Sequence, residues 1–478
     1  MFFNSFYYFV FLGVTFVLFY SFKKYRWFIL FLASLFFIGT ISPNLIFFAL
    51  LFSILNYFLG ISLETTKNKV YKKRIFWLGI SLDIGLLASF KYINFVFENL
   101  NFILRLFPEV ASIPYINIIV PLGISYYTFQ ALGYLIRINR GAEKAEHNFG
   151  IFATYLLFFP KFLSGPVERS NHFFPQINSS LDFQKDNIST GLRLFLWGMF
   201  KKDVIGNNLA GPVMLVYGDV ENYHGIPLII VFLLQTVHLY CDFSGYTDMA
   251  LGSARIFGIQ LGDNFNRPFF AKNVGEFWRR WHISLSSWCN DFIFTPFIVK
   301  YRKLKNKAAI LGIFITFFVI GIWHGAKWTF VILGILQGIA ISYEFYTKRK
   351  RITLAKKLQK KWVVFFSRIF TFLFFCLTLI FFNANSVSDA FYYITHLFSG
   401  IEWKFSGHDL VYDKNSFIVG IVGFLFIFII EYFNEQGEDL MKKFIHLPLL
   451  VRWTGYYALI ILIYLYGGGD EAFVYLKF

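Results

Sequence analysis

Two histidines stand in apolar surroundings where an imidazole needs either a partner or a task. His282 lies in GEFWRRWHISLSSWCND, residues 275–291, and His324 in GIFITFFVIGIWHGA, residues 312–326. An imidazole titrates near neutrality and is suited to take a proton from a hydroxyl nucleophile. Small neighbours at Gly321, Gly325 and Ala326 would let backbone or a thin substrate approach His324 closely. A structural histidine at a helix junction fits the spacing of His324 equally well. On a continuous helix over 275–291, Trp278, His282 and Ser286 share one face while Arg279 and Arg280 point elsewhere. The functional reading of that face is a histidine lining an internal passage or acting as partner to His324. The competing reading is an interfacial amphipathic helix with a core histidine.

Other polar groups are candidates for positioning. Asp242 and Asp248, in DFSGYTDMA, lie close to the apolar Leu239 and Met249 and so need partners, with Arg255 and Arg267 in reach by sequence. Asp242 could orient an imidazole, while Asp248 reads as a cap or bridge of a broken helix. Gly165-Pro166-Val167-Glu168-Arg169 reads as a sharp break followed by an ion pair, and Gly467–Asp470 as a C-terminal turn. There is no GxxxxGK[ST], HExxH or GxSxG pattern, so ATP hydrolysis, zinc proteolysis and the usual serine hydrolase layout have no support, and no metal site is expected.

The elements that must hold these groups are membrane helices. The 478 residues are 57% hydrophobic and only 15% charged, with 67 phenylalanines, too apolar for a soluble core. The net charge of +17 resides in clusters between apolar runs, the pattern of cytoplasmic loops, so no nucleic-acid partner is expected and membrane lipid is. Cys241, Cys289 and Cys376 lack metal-ligand spacing and imply no disulfide framework. The first cations, Lys23, Lys24 and Arg26, follow the first apolar run, which argues for a retained helix rather than a cleaved signal.

Spans are expected at Phe6–Phe22, Trp27–Thr40, Asn44–Leu63, Ile75–Phe90, Ile116–Ile136, Pro227–Cys241, Ala308–Ile322, Trp328–Phe345, Val363–Phe382, Phe417–Tyr432 and Val451–Tyr466. The basic stretches 23–26, 67–74, 137–144, 302–307 and 348–361 are then cytoplasmic loops, and 383–416 and 467–478 lie outside. At 1.5 Å per residue Ala308–Ile322 covers roughly 22 Å, short of a bilayer core, which would leave His324 below the membrane surface. Three stretches, 156–176, 239–270 and 275–291, are too polar or too broken for simple spans. Such segments are tolerated at membrane depth only inside protein or along a water-filled cavity, so they are expected to surround one cavity with His324. Asn273 and Glu276 form a capping-box pattern, and Glu276 can pair with Arg279 or Arg280.

EFWRRWHISLSSW together with IGIWHGA resembles the membrane-bound O-acyltransferase family, in its branch of alginate O-acetylase-like bacterial polysaccharide acetylases, with teichoic acid D-alanyl transferases as a neighbouring branch. VPLGISYYTFQALGYLI (120–136), FFPKFLSGPVERSNHFFPQ (158–176), DFSGYTDMALGSARIFG (242–258) and NFNRPFF (264–270) are similar to it in the same order. The resemblance implies an all-α polytopic membrane protein: a ring of about 11 transmembrane helices with re-entrant and interfacial helices around a central tunnel. It implies one domain over 1–478, with N-terminal helices over 1–110, a catalytic core over 115–346 and C-terminal helices over 362–478.

It implies His324, in the WHG motif, as the catalytic residue and His282, in the RRWH motif, as the second histidine. Trp323, Asp242, Asn264, Arg267, Trp278 and Ser286 are then tunnel or orienting residues, with Asp242 or Asn264 orienting His282. The implied activity moves an acyl group, foremost acetyl, from a cytoplasmic thioester (acetyl-CoA or an acyl carrier protein) across the membrane to an extracytoplasmic polysaccharide. Transfer is direct or runs through a partner acyltransferase outside. The implied location is the bacterial cytoplasmic membrane, and no bound cofactor is implied. The chain departs from the family pattern at Arg137, His238, Asn290 and in FIVKYRKLKNK (297–307), which alters the cytoplasmic rim and leaves the WHG centre intact. D-alanyl transfer to a cell-wall polymer, an acyl or solute transporter and an export scaffold are the competing readings. The paired broken helices of transporter repeats have no counterpart here.

Overall fold

The computed structural model describes residues 1–107, 111–179, 181–356, 359–400, 410–411 and 413–467. The described residues fall into two compact units. One comprises residues 1–194 and 250–262, the other residues 195–249 and 263–478.

The first unit opens with α1 (Phe6–Ser21), capped by the Ser5 side chain, then α2 (Arg26–Ile41) and α3 (Pro43–Thr65). Pro43 sits in the first turn of α3, where its missing N–H would have no helical acceptor. The Asn68 side chain caps α4 (Lys69–Lys91), and the chain bends by 66° into α5 (Ile93–Leu104). The helix expected over 116–136 starts only at Ile124, as α6 (Ile124–Asn139). Pro121 precedes it, and Gly123 takes a left-handed turn (φ 78°) where a Cβ would lie 2.6 Å from the Phe162 carbonyl oxygen. α7 (Phe149–Leu157), a set of turns and α8 (Ser170–Ile177) follow.

Those turns bury Lys161 completely. Its ammonium donates to Gln130 and to the Tyr155 carbonyl (2.5 Å), beneath the rings of Tyr155 and Phe173. Burial pushes it down to about 7. Glu168, the acid of the expected ion pair, is buried. Its carboxylate accepts from His172 Nδ1 at 2.8 Å and from the Gly262 amide at 3.0 Å.

The chain continues through α9 (Lys185–Met199), a wide π-helical stretch Phe200–Gly206, α10 (Asn207–Gly218) and α11 (Ile226–Ile256). α11 is one helix of 31 residues. The break expected after Cys241 is absent, because lysines neutralise the aspartates of its polar run within the second unit. The short helices α12 (Val274–Trp278), α13 (Ile283–Cys289) and α14 (Thr295–Lys300) lead to α15 (Asn306–His324) and α16 (Trp328–Lys356). Glycines let α15 and α16 close to backbone contact. A Cβ on Gly321 would lie 2.4 Å from the Phe330 carbonyl oxygen, and one on Gly334 2.4 Å from that of Phe317. α16 runs through most of the basic stretch 348–361, which is therefore helix rather than loop up to Lys356. α17 (Lys360–Asn383), α18 (Val387–His396), α19 (Lys414–Glu435), α20 (Leu440–Ile445) and α21 (Leu449–Tyr466) complete the described chain. The turn expected at 467–470 lies outside the described residues beyond Gly467.

Among the described residues, eight helices are long and apolar enough to cross a membrane, or nine if the bent pair α4–α5 is one span. The described residues form an all-helical, multi-pass membrane protein in which these eight or nine helices, of the eleven expected, have full crossing length. α1 is apolar but only 16 residues long, and α6 begins late for the reason given above.

Candidate active site

The second unit assembles the site from three pieces of chain: residues 264–267, residues 280–284 and the end of α15. Trp281 and Phe265 pair as an antiparallel bridge. The Asn266 amide donates to the Arg280 carbonyl at 2.8 Å, and the Ile283 amide to the Asn264 carbonyl at 2.9 Å. This pairing interrupts the helix expected over 275–291. α12 ends at Trp278, and His282 adopts left-handed backbone (φ 45°, ψ 51°) before α13 begins. The face expected to join Trp278, His282 and Ser286 does not form. Such a conformation in a non-glycine residue persists only where its surroundings enforce it.

Those surroundings are specific. Asn264 Oδ1 accepts from the Ser284 amide (3.2 Å), from Ser284 Oγ (2.8 Å) and from His282 Nδ1 (3.1 Å). The Phe243 ring stands edge-on to the His282 ring at 4.8 Å, and Trp323 packs on it at 5.7 Å. His282 is fully buried. Burial pushes its imidazole well below the usual histidine range, and the nearby His324 pushes the same way.

His324 is the last residue of α15 and is also buried. α15 has 19 residues, about 28 Å of helix, so the short span expected from sequence is nearly a full crossing. Rings surround the imidazole: Trp323 at 5.3 Å, Phe382 at 5.5 Å and Phe330 at 6.3 Å. A Cβ on Gly325 would strike the Phe330 ring at 2.3 Å, so the glycine after His324 admits that ring.

The remaining candidates lie around this centre in different roles. Trp278 Nε1 donates to Gln337 Oε1 at 3.0 Å, and Gln337 Nε2 to Thr378 Oγ1 at 2.8 Å, a chain tying α12 to α16 and α17. Ser286 Oγ returns to the His282 carbonyl at 3.2 Å. Asp242 is ion-paired with Lys202. Asp248 pairs with Lys201 at 2.5 Å, and Lys201 also donates to Ser244 Oγ at 3.2 Å. Of the two arginines expected as partners, Arg267 is engaged with a different carboxylate. Arg267, with left-handed backbone (φ 47°), joins Arg280 and Arg368 around the Glu435 carboxylate. Glu276 pairs with Arg280 at 2.8 Å. Its carboxylate accepts from the Lys272 amide rather than from Asn273, so only the Asn273 half of the capping box forms. Glu344 completes that helix start, its two oxygens taking the Val274 and Gly275 amides at 2.7 and 3.0 Å.

Sequence reading missed Lys201, Lys202, Glu435, Gln337 and Ser284. The first two left a signal: FKKDVIG places consecutive lysines between apolar runs, and all its residues are buried. Stretches of i→i+5 helix recur at functional sites. Among the described residues, no three His, Cys, Asp or Glu side chains converge as a metal centre requires.

The fold thus defines a multi-pass membrane protein that holds two buried imidazoles in its second unit. A model described as MBOAT, membrane-bound O-acyltransferase family, matches residues 139–387. The peptidoglycan O-acetyltransferase of Helicobacter pylori is 32% identical over 70% of this chain and 67% of that protein. The probable alginate O-acetylase AlgI of Pseudomonas aeruginosa is 31% identical over 83% of this chain and 74% of that protein. The teichoic acid D-alanyltransferase of Bacillus subtilis is 30% identical over 54% of this chain and 68% of that protein. The chain belongs to the membrane-bound O-acyltransferase family. It is an O-acyltransferase, and the transporter and scaffold readings fall away.

Proposed function

We propose that this enzyme transfers an acetyl group from a cytoplasmic thioester, acetyl-CoA or an acetylated carrier protein, to a hydroxyl of an extracytoplasmic polysaccharide, directly or through a partner acyltransferase. The observation that carries the reading is the pair of buried imidazoles, His282 locked by Asn264 and His324 near enough to act on it electrostatically. His324 takes the proton of the attacking hydroxyl. The oxygen bonds to the acyl carbon, the carbon–sulfur bond breaks, and the proton passes to the departing thiolate. His282 supports this step, with Asn264 as its positioning residue. The aromatic rings around His324 keep water from the thioester. The location that fits is the bacterial cytoplasmic membrane, with the basic end of α16 available to an acidic carrier protein.

Acetyl is favoured over D-alanyl by charge. A D-alanyl group brings an ammonium, whereas the ring neighbours of His324 are apolar and Asp242 and Asp248 are already neutralised by lysines. The test supplies membranes with labelled acetyl-CoA, labelled acetyl carrier protein or labelled D-alanyl carrier protein and follows label onto polymer or partner, for wild type and His324→Ala. Label from an acetyl donor, lost in the variant at equal membrane level, supports the reading. Equal transfer by the variant removes His324 from the chemistry, and label only from D-alanyl overturns the acetyl assignment.

A further inference from the structure

The first unit buries a carboxyl group between two helices. Asp83 of α4 and Asn56 of α3 are both fully buried. Asn56 Nδ2 donates to Asp83 Oδ1 at 2.9 Å and to the Phe52 carbonyl at 3.2 Å. Those two acceptors fix which end of the amide carries nitrogen. Two buried oxygens are then left without a donor, Asn56 Oδ1 and Asp83 Oδ2, and they belong to side chains already bonded to each other.

An ionised carboxylate can only accept, so it satisfies neither oxygen. A proton on Asp83 Oδ2 would turn one orphan acceptor into a donor and give it, in Asn56 Oδ1, an acceptor on the side chain to which Asp83 is already bonded. The neighbouring charges give no reason for ionisation. Among the described residues no cation pairs with Asp83. Glu64 of α3 bonds to His147, Arg137 of α6 to Glu143 and Lys91 of α4 to Ser125, while Glu98 of α5 is exposed. The other titratable groups of α6 are phenols, Tyr126, Tyr127 and Tyr134, which carry no charge at neutral pH. The remaining cations of α4, Lys69, Lys72, Lys73 and Arg74, lie two turns or more before Asp83. A carboxyl group in apolar surroundings without a cation is cheaper neutral than charged.

We infer that Asp83 is carried as a neutral carboxylic acid, joined to Asn56 by two hydrogen bonds in a ring, N–H to O one way and O–H to O the other. A bound proton is then part of what holds α3 to α4. The Asp83→Asn variant reproduces this pattern, because its amide donates and accepts at the same two places. Asp83→Leu keeps the bulk and loses both bonds.

The experiment compares the full-length protein in detergent micelles as wild type, D83N and D83L, by infrared spectroscopy at neutral pH and by thermal unfolding. The wild-type minus D83N difference spectrum is expected to contain the carbonyl stretch of a protonated carboxylic acid, shifted in D2O. D83N is expected to match the wild type in membrane level and unfolding midpoint, with D83L below both. Carboxylate bands in place of the acid band overturn the inference. So does a D83N variant that fails to accumulate or melts as low as D83L. Acyl transfer is not the readout, so failure here leaves the assignment of His324 untouched.

Discussion

Asn264 fixes which nitrogen of His282 carries the proton. Its Oδ1 accepts from the Ser284 amide as well as from His282 Nδ1, and a backbone amide can only donate. The oxygen end of Asn264 therefore faces the ring, Nδ1 is the protonated nitrogen, and Nε2 presents the lone pair. The partner of a working imidazole determines its tautomer and orientation.

Asn264→Ala should thus lower acyl transfer by about tenfold or more while sparing membrane level, as loss of an orienting partner does elsewhere. Asn264→Asp is the more telling variant. Its carboxylate favours the imidazolium, so the pH profile of kcat should move to higher pH, a change that loss of packing alone does not produce. Full pH–rate profiles of the three proteins decide it.

His324→Ala should cost about 10²- to 10⁴-fold in kcat, the range for removal of a general base. His282→Ala should cost less in kcat. Steady-state kinetics with labelled thioester, at matched membrane levels, separates the two. Equal losses would mean that the imidazoles act as one unit, and then the double variant should cost no more than either single one.

The buried ion pairs of the π-helical stretch predict a non-additive result. Lys202 and Asp242 are both buried and bonded to each other. Removing one partner strands a charge and costs about 3–5 kcal/mol, whereas removing both can be nearly neutral. Lys202→Met and Asp242→Asn should each lower the unfolding midpoint in detergent, and the double variant should recover most of the loss. A double variant at the sum of the two would show that the pair does not act as a unit.

How far the sequence foretold this arrangement depends on range. The spans α2, α3, α15, α17, α19 and α21 follow from apolar runs of helical length, a local property. His282 and His324 stood out because a polar ring in apolar surroundings is conspicuous in one dimension. The break at His282 was hidden, since it is imposed by pairing with residues 264–266, distant in sequence, against a pattern that suits a helix. The partners of Asp242 and Asp248 were hidden for the same reason: Lys202 and Lys201 lie 40 and 47 residues away, and charge alone could not rank them above Arg255 or Arg267. α11 then stayed whole through a polar run that reads as a break only while its aspartates have no cation.

The close approach of α15 and α16 makes Gly321 a sensitive position three residues before His324. A methyl there would sit 2.4 Å from a carbonyl oxygen of the other helix, and backbone cannot yield as a side chain can. Gly321→Ala should cost about 1–3 kcal/mol of stability and a larger share of kcat, because the helices must part where the imidazole is held. Gly13→Ala on α1, with nothing within 4 Å of the added carbon, is the neutral control. Unfolding midpoints and transfer rates of the two variants test this.

Burial of His282 gives stability an acid limb of defined sign. Its folded-state imidazole is depressed below the unfolded value, so between the two the unfolded chain binds more protons. Stability from this group is fully present above the unfolded pKa of about 6.5 and is lost as pH falls below it toward the folded value. Detergent unfolding midpoints of wild type should therefore fall as pH drops from 7 through 5. His282→Gln cannot be protonated and should lose that part of the slope, keeping only what the carboxylates contribute at lower pH. Equal slopes for both proteins between pH 7 and 5 would show that His282 gains its proton as readily in the folded state as in the unfolded one. The buried, neutral imidazole on which the Nδ1-protonated tautomer rests would then have to be given up.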